Sequence, residues 1–105
     1  MNDQQFVISP DAVETIVTDW TTAKIMCDPH ISRVQGMGAV DLVFEPGQGH
    51  FRHNHTDAEQ IIYVISGHGT HTSELPDGTS VVEKVSAGSL IFIPKGVYHS
   101  TMNAG

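Results

Sequence analysis

The feature that most constrains this chain is its punctuation. Short segments, many rich in Val, Ile, Thr, Phe or Tyr, recur near positions 22–27, 37–44, 50–55, 60–65, 69–73, 81–85, 89–93 and 97–103. Turn-forming runs lie among them: Glu45-Pro46-Gly47, Leu75-Pro76-Asp77-Gly78, Ala87-Gly88 and Pro94-Lys95-Gly96. Segments this short suit strands, and Gly and Pro supply the backbone angles that tight reversals need. No helical pattern intervenes to carry a parallel crossover, so an antiparallel sandwich or barrel of about eight strands is the economical architecture. One short helix is expected before it. Ser9-Pro10-Asp11 offers a capping hydroxyl, a proline at the first helical position and a carboxylate in the first turn. Val13, Ile16, Val17 and Trp20 follow at helical spacing, which predicts an amphipathic helix over 10–18. The chain then reads as a single domain, with an arm and helix in residues 1–20 and a β-barrel in 21–105.

Bulk properties narrow the function classes. At 105 residues the chain buries only about 60–70% of its unfolded surface, which makes association with another subunit attractive. A net charge of −7 with five Lys plus Arg opposes nucleic-acid or anionic-membrane partners, both of which select basic patches. The lone Cys27 excludes a disulfide-stapled secreted scaffold. The opening MNDQQFVISP lacks a basic stretch followed by an apolar one, and no run approaches the roughly 20 apolar residues of a membrane span. A soluble, cytoplasmic protein is expected.

Chemistry concentrates in "HFRHNHTDAEQIIYVISG", His50 to Gly67, where three of the seven histidines fall within six residues. If His53 and His55 lie on a strand, their imidazoles share a face about 7 Å apart and can converge on one metal ion. His99 follows the 89–93 segment and the Pro94-Lys95-Gly96 turn, which can return it against that pair. Two residues compete for an oxygen ligand at the entrance of the next strand. Gln60 alternates with Ile62 and Val64, whereas Glu59 alternates with Ile61, Tyr63 and Ile65. His71 falls on a parity that points inward and is a candidate general acid or base. His50 is expected at the rim, out of phase with His53, and His68 carries no role. Phe51 and Phe92 read as core residues, Arg52 and Asn54 as facing away from the ligands, and His30 as part of a turn.

Two motifs make the sequence resemble a cupin. Gly88, Pro94, Gly96, His99 and Asn103 fit every position of the second cupin signature, and Gly47, His53, His55 and Gly67 fit the first. There is one departure: the signature's spacing back from Gly67 reaches Gln60, while its spacing forward from His55 also allows Glu59. Cupins with a glutamine at this place use it as a ligand, so the resemblance favours His53, His55, Gln60 and His99, with Glu59 as the alternative to Gln60. It implies the antiparallel double-stranded β-helix, or jelly-roll barrel, with a divalent transition metal such as Zn, Ni, Fe or Mn inside. It also implies a homodimer, formed by strand exchange or sheet extension, since cupins usually continue beyond the motif asparagine for at least another strand.

Three imidazoles and an amide are all neutral, so they leave a divalent ion its full charge and favour small anionic ligands. The resemblance therefore suggests a small enzyme using the ion as a Lewis acid on a carboxylate or sugar-acid-like substrate, in a lyase- or isomerase-type reaction. An iron-dependent dioxygenase and a non-enzymatic small-molecule binding module are the competing expectations.

Overall fold

In the computed structural model, residues 6–28 and 35–105 are described. His30 lies outside the described residues, as do the first five of the arm. Nine strands form among those described: β1 (Thr15–Val17), β2 (Thr21–Cys27), β3 (Ala39–Phe44), β4 (Gly49–His53), β5 (Gln60–Tyr63), β6 (His68–Glu74), β7 (Ser80–Ser86), β8 (Leu90–Ile93) and β9 (His99–Asn103). The fold is all-β with antiparallel pairing, and its strands coincide closely with the segments that turn residues delimit in the sequence. The chain falls into two compact units, Met1–Val43 and Phe44–Gly105.

The first unit carries a sheet in the order β1-β2-β3. Buried Thr21 is held there by its hydroxyl, which donates to the Val43 carbonyl at 2.9 Å. The helix expected over 10–18 is a correction. Only Pro10–Ala12 turn, as a single 3-10 turn with Pro at its start, and Thr15–Val17 pair as a strand with β2. Thr15, Ile16, Val17 and Thr18 are all β-branched; their stiff side chains cost helix stability and suit a pleated sheet. A three-residue turn that runs into a β-branched stretch does not propagate.

The second unit carries a four-stranded sheet, β4-β9-β6-β7, and a two-stranded sheet, β5-β8. In the smaller sheet Gln60 faces Ile93 and Ile62 faces Ile91, while Ile61 pairs with Phe92 and Tyr63 with Leu90. Ile91 and Ile93 are the buried apolar residues among those described; Ile61, Tyr63, Leu90 and Phe92 are exposed. This strict alternation overturns Phe92 as a core residue, because it lies between two inward isoleucines. Phe51 is likewise exposed, at 72%.

Among the described residues of the second unit the buried polar set, His71, His99 and Thr101, outnumbers the two buried isoleucines. Burying polar groups opposes folding unless something receives them, so an interior of this composition points to a ligand rather than to stability.

Candidate metal centre

His53 ends β4 and His99 opens β9, and the two are register partners, with ring centroids 4.3 Å apart. His55 lies just past the end of β4 and reaches the same place from a loop. That loop is clasped by the turn before β9: the Gly96 N–H donates to the His55 carbonyl at 2.7 Å, and Asn54 Nδ2 donates to the Gly96 carbonyl at 3.3 Å. Gly96 adopts φ of 79°, a conformation that favours glycine, so the motif glycine fixes the distance between two of the three histidines. One ring nitrogen from each of His53, His55 and His99 lies within 4.8 Å of the others.

The hydrogen bonds set which nitrogen faces the centre. His53 Nδ1 donates to the Phe51 carbonyl at 2.7 Å and His99 Nδ1 to the Val97 carbonyl at 3.0 Å. Each bond places the proton on Nδ1 and leaves the Nε2 lone pair free, the arrangement of a metal-ligating imidazole oriented by a backbone acceptor. His99 Nε2 is buried and has no hydrogen-bond partner, and so is Gln60 Oε1. A buried acceptor without a partner on one of three gathered imidazoles is what a divalent transition-metal ion satisfies, and three imidazoles suit one.

Gln60 is half-buried on the inward parity of β5 with Ile62, whereas Glu59 is exposed. Replacing each by Ala, and measuring metal retained after dialysis, is expected to strip the ion from Gln60→Ala only. Retention by Gln60→Ala with loss from Glu59→Ala would reverse the assignment.

One histidine departs from its sequence reading. His50 is not a rim residue out of phase with His53. The β4–β9 ladder pairs Gly49 with Met102 and His50 with Thr101, then shifts by one residue before His53 meets His99. This bulge at Phe51 and Arg52 resets the alternation, so His50 and His53 lie ring to ring, with centroids 5.0 Å apart. Arg52 faces away from the ligands, as expected, paired with Glu74 and lying 3.8 Å over the Tyr98 ring. His71 is buried at 4% exposure, with Nδ1 2.8 Å from Thr101 Oγ1. Asn103 plays a structural part, its Nδ2 donating to the Phe44 carbonyl at 2.8 Å. His68 is exposed.

Burial pulls the His50, His71 and His99 rings below the ordinary imidazole value of 6.5, and neighbouring histidines add to the effect. Carbonyl acceptance from His99 Nδ1 and the Glu83 charge near His71 oppose it. With native values depressed, the unfolded chain binds more protons in this window. Stability present above 6.5 is therefore lost as pH falls through 6.5 toward the native values. Thermal melts of chelator-treated protein from about pH 8 to about pH 5 are expected to show that decline; a flat profile would contradict it.

An all-β barrel fold with a three-histidine centre defines a metal cupin. The family described as "Cupin domain" matches residues 40–105, and the chain belongs to the cupin family. Similar solved structures include oxalate decarboxylase from Bacillus subtilis as a tryptophan-to-tyrosine variant, as an arginine-to-alanine variant, and in work on its Mn(II) centres. Each has a TM-score of 0.85 and 21% identity, covering 98% of this chain and 27% of that one. The chain thus spans about a quarter of the length of those structures, and at that identity the likeness speaks for the fold. Comparison with curated proteins finds no match. Among the described residues no helix is long and apolar enough to cross a membrane.

Proposed function

We propose that this chain is a single-domain metal-dependent enzyme acting on a small carboxylate or sugar-acid-like substrate, in a lyase- or isomerase-type reaction. His53, His55, Gln60 and His99 hold the ion. The carrying observation is buried His99 Nε2, an acceptor without a partner whose ring gathers with those of His53 and His55; Gln60 Oε1 is a second buried acceptor without one. Bound there, a divalent ion supplies Lewis acidity to a carboxylate or carbonyl oxygen. The residues themselves orient that oxygen: two imidazoles are locked by carbonyls, and the neutral amide adds no charge to repel an anion. His71 is the group placed to exchange a proton with the substrate. Oxalate decarboxylase, named for a small dicarboxylate, supports an anionic ligand of this size.

The test is a thermal-shift screen of uronic, keto and hydroxy acids on metal-loaded protein purified without a histidine tag. Stabilisation by at least one acid class is expected, and none at all would sink the charge argument. Oxygen uptake that depends on an organic substrate after Fe(II) loading would instead establish a dioxygenase. Acid binding without turnover would leave a binding module.

We also propose a cytoplasmic homodimer. The exposed pairs Ile61–Phe92 and Tyr63–Leu90 on one face of the β5-β8 sheet support association, as an apolar surface that a second copy would cover. Light scattering at micromolar concentration is expected to give twice the 11.4 kDa chain mass; a monomer would count against it.

A further inference from the structure

The polar interior extends beyond the three-imidazole centre. In the β4-β9-β6 ladder, His53 faces His99 and His99 faces Ser73. The neighbouring row on the same face runs His50, Thr101, His71. The two rows are one two-residue step apart, about 7 Å along the strands. The β4 bulge makes the second row possible, because without it His50 would point away from Thr101's side of the sheet.

In the second row only His71 has been given a part, proton exchange, and that leaves the partner of its buried Nε2 unassigned. His71 and Thr101 are 4% and 8% exposed. Thr101 Oγ1 occupies His71 Nδ1 at 2.8 Å, and His71 Nε2 is buried with no partner. Leaving such a nitrogen unsatisfied opposes folding, which a structural histidine would avoid. Nor is it a fourth imidazole of the metal centre. Its ring lies 6.0 Å from that of His99, near parallel at 24°, and it stands outside the trio whose nitrogens gather within 4.8 Å.

We propose that His71 Nε2, oriented by Thr101, forms a second subsite for an oxygen of the substrate. The ligand class is then a short dicarboxylate, or an acid with a second oxygen-bearing group a few bonds away. Thr101 Oγ1–H donates to Nδ1, which leaves the proton on Nε2 as a donor aimed at an anion. One carboxylate meets the ion and the second oxygen meets His71, so the substrate is held at two points. This rests on the metal-dependent reading above.

Calorimetric titration of zinc-loaded protein with malonate and with acetate tests it. Malonate is expected to bind the unaltered chain more tightly than acetate. His71→Phe keeps an aromatic ring, a larger one, and removes both nitrogens. It is expected to weaken malonate about tenfold or more while leaving acetate affinity and one zinc ion per chain unchanged. Thr101→Val, which frees Nδ1 and so misorients the donor, is expected to weaken malonate in the same direction by less. Equal affinity for the two acids on the unaltered chain would overturn the subsite, as would a His71→Phe effect that is absent or shared by acetate. If His71→Phe does not fold, an unchanged malonate-to-acetate ratio in Thr101→Val overturns it. Failure of both acids to bind the unaltered zinc form would instead overturn the metal-dependent reading, and the subsite with it.

Discussion

His99→Ala is expected to yield protein that carries no metal through purification, with affinity for Zn, Ni or Mn at least about 100-fold below that of the unaltered chain. His99 is 2% exposed and its Nε2 has no acceptor or donor in the fold, so the ion is the partner that its burial calls for. A change merely to a residue that orients a ligand commonly costs about 10–100-fold, and loss of the ligand itself costs more. The same logic predicts strong linkage between metal and stability. At 100 to 1,000 times the dissociation constant, an ion adds about 2.7–4.1 kcal/mol, which for a chain of this size moves Tm by roughly 10–20 °C. Chelation should remove that increment from the unaltered protein and change His99→Ala little. The metal-dependent part is the diagnostic quantity, because in metal-free protein the substitution both opens a cavity and relieves an unsatisfied nitrogen. Element analysis together with melts in the presence and absence of chelator decides it; retention of a full equivalent of metal by His99→Ala would remove the centre from this site.

Gly49→Ala should be the most damaging single methyl group in the chain, destabilising by about 3 kcal/mol or more, a large share of a small domain's stability. A Cβ on Gly49 would sit 2.0 Å from the Thr101 carbonyl oxygen and 2.8 Å from Met102 Cα. Both are backbone atoms of β9, so no side-chain rotation relieves the contact. The strand pair would have to separate, and with it would go the ladder that carries His53 to His99 and His50 to Thr101. Denaturant titration measures the loss, and a change below about 1 kcal/mol would show that β4 and β9 can part without cost. As a control, Gly47→Ala meets nothing within 4 Å, and its strain comes from φ of 76° alone; it should cost only about 1–2 kcal/mol.

Much of this was legible in the chain because local chemistry dictates it. Turn residues at Pro46-Gly47, Pro76-Asp77-Gly78, Gly88 and Pro94-Lys95-Gly96 delimit strands whatever those strands pair with. Period-two alternation put Gln60 with Ile62 on one side and Ile61 with Tyr63 on the other, and the unbroken β5–β8 ladder preserves that parity. Alternation failed where a ladder breaks. His50 and His53 differ by three residues and should oppose one another, yet a bulge decided by pairing with β9 brings them together. At Thr15–Val17 a helical spacing of apolar residues competed with β-branching, and available pairing with β2 favoured the strand.

The amino-acid order alone determined the all-β class and the places where the backbone reverses, since turns depend on neighbours in the chain, and its two motifs singled out His53, His55 and His99. Only the tertiary structure decided that His50 joins them, that His71 is buried with one nitrogen unclaimed, and that Phe51 and Phe92 face outward. Those outcomes depend on register between strands remote in sequence, and one extra residue in a ladder inverts every face beyond it.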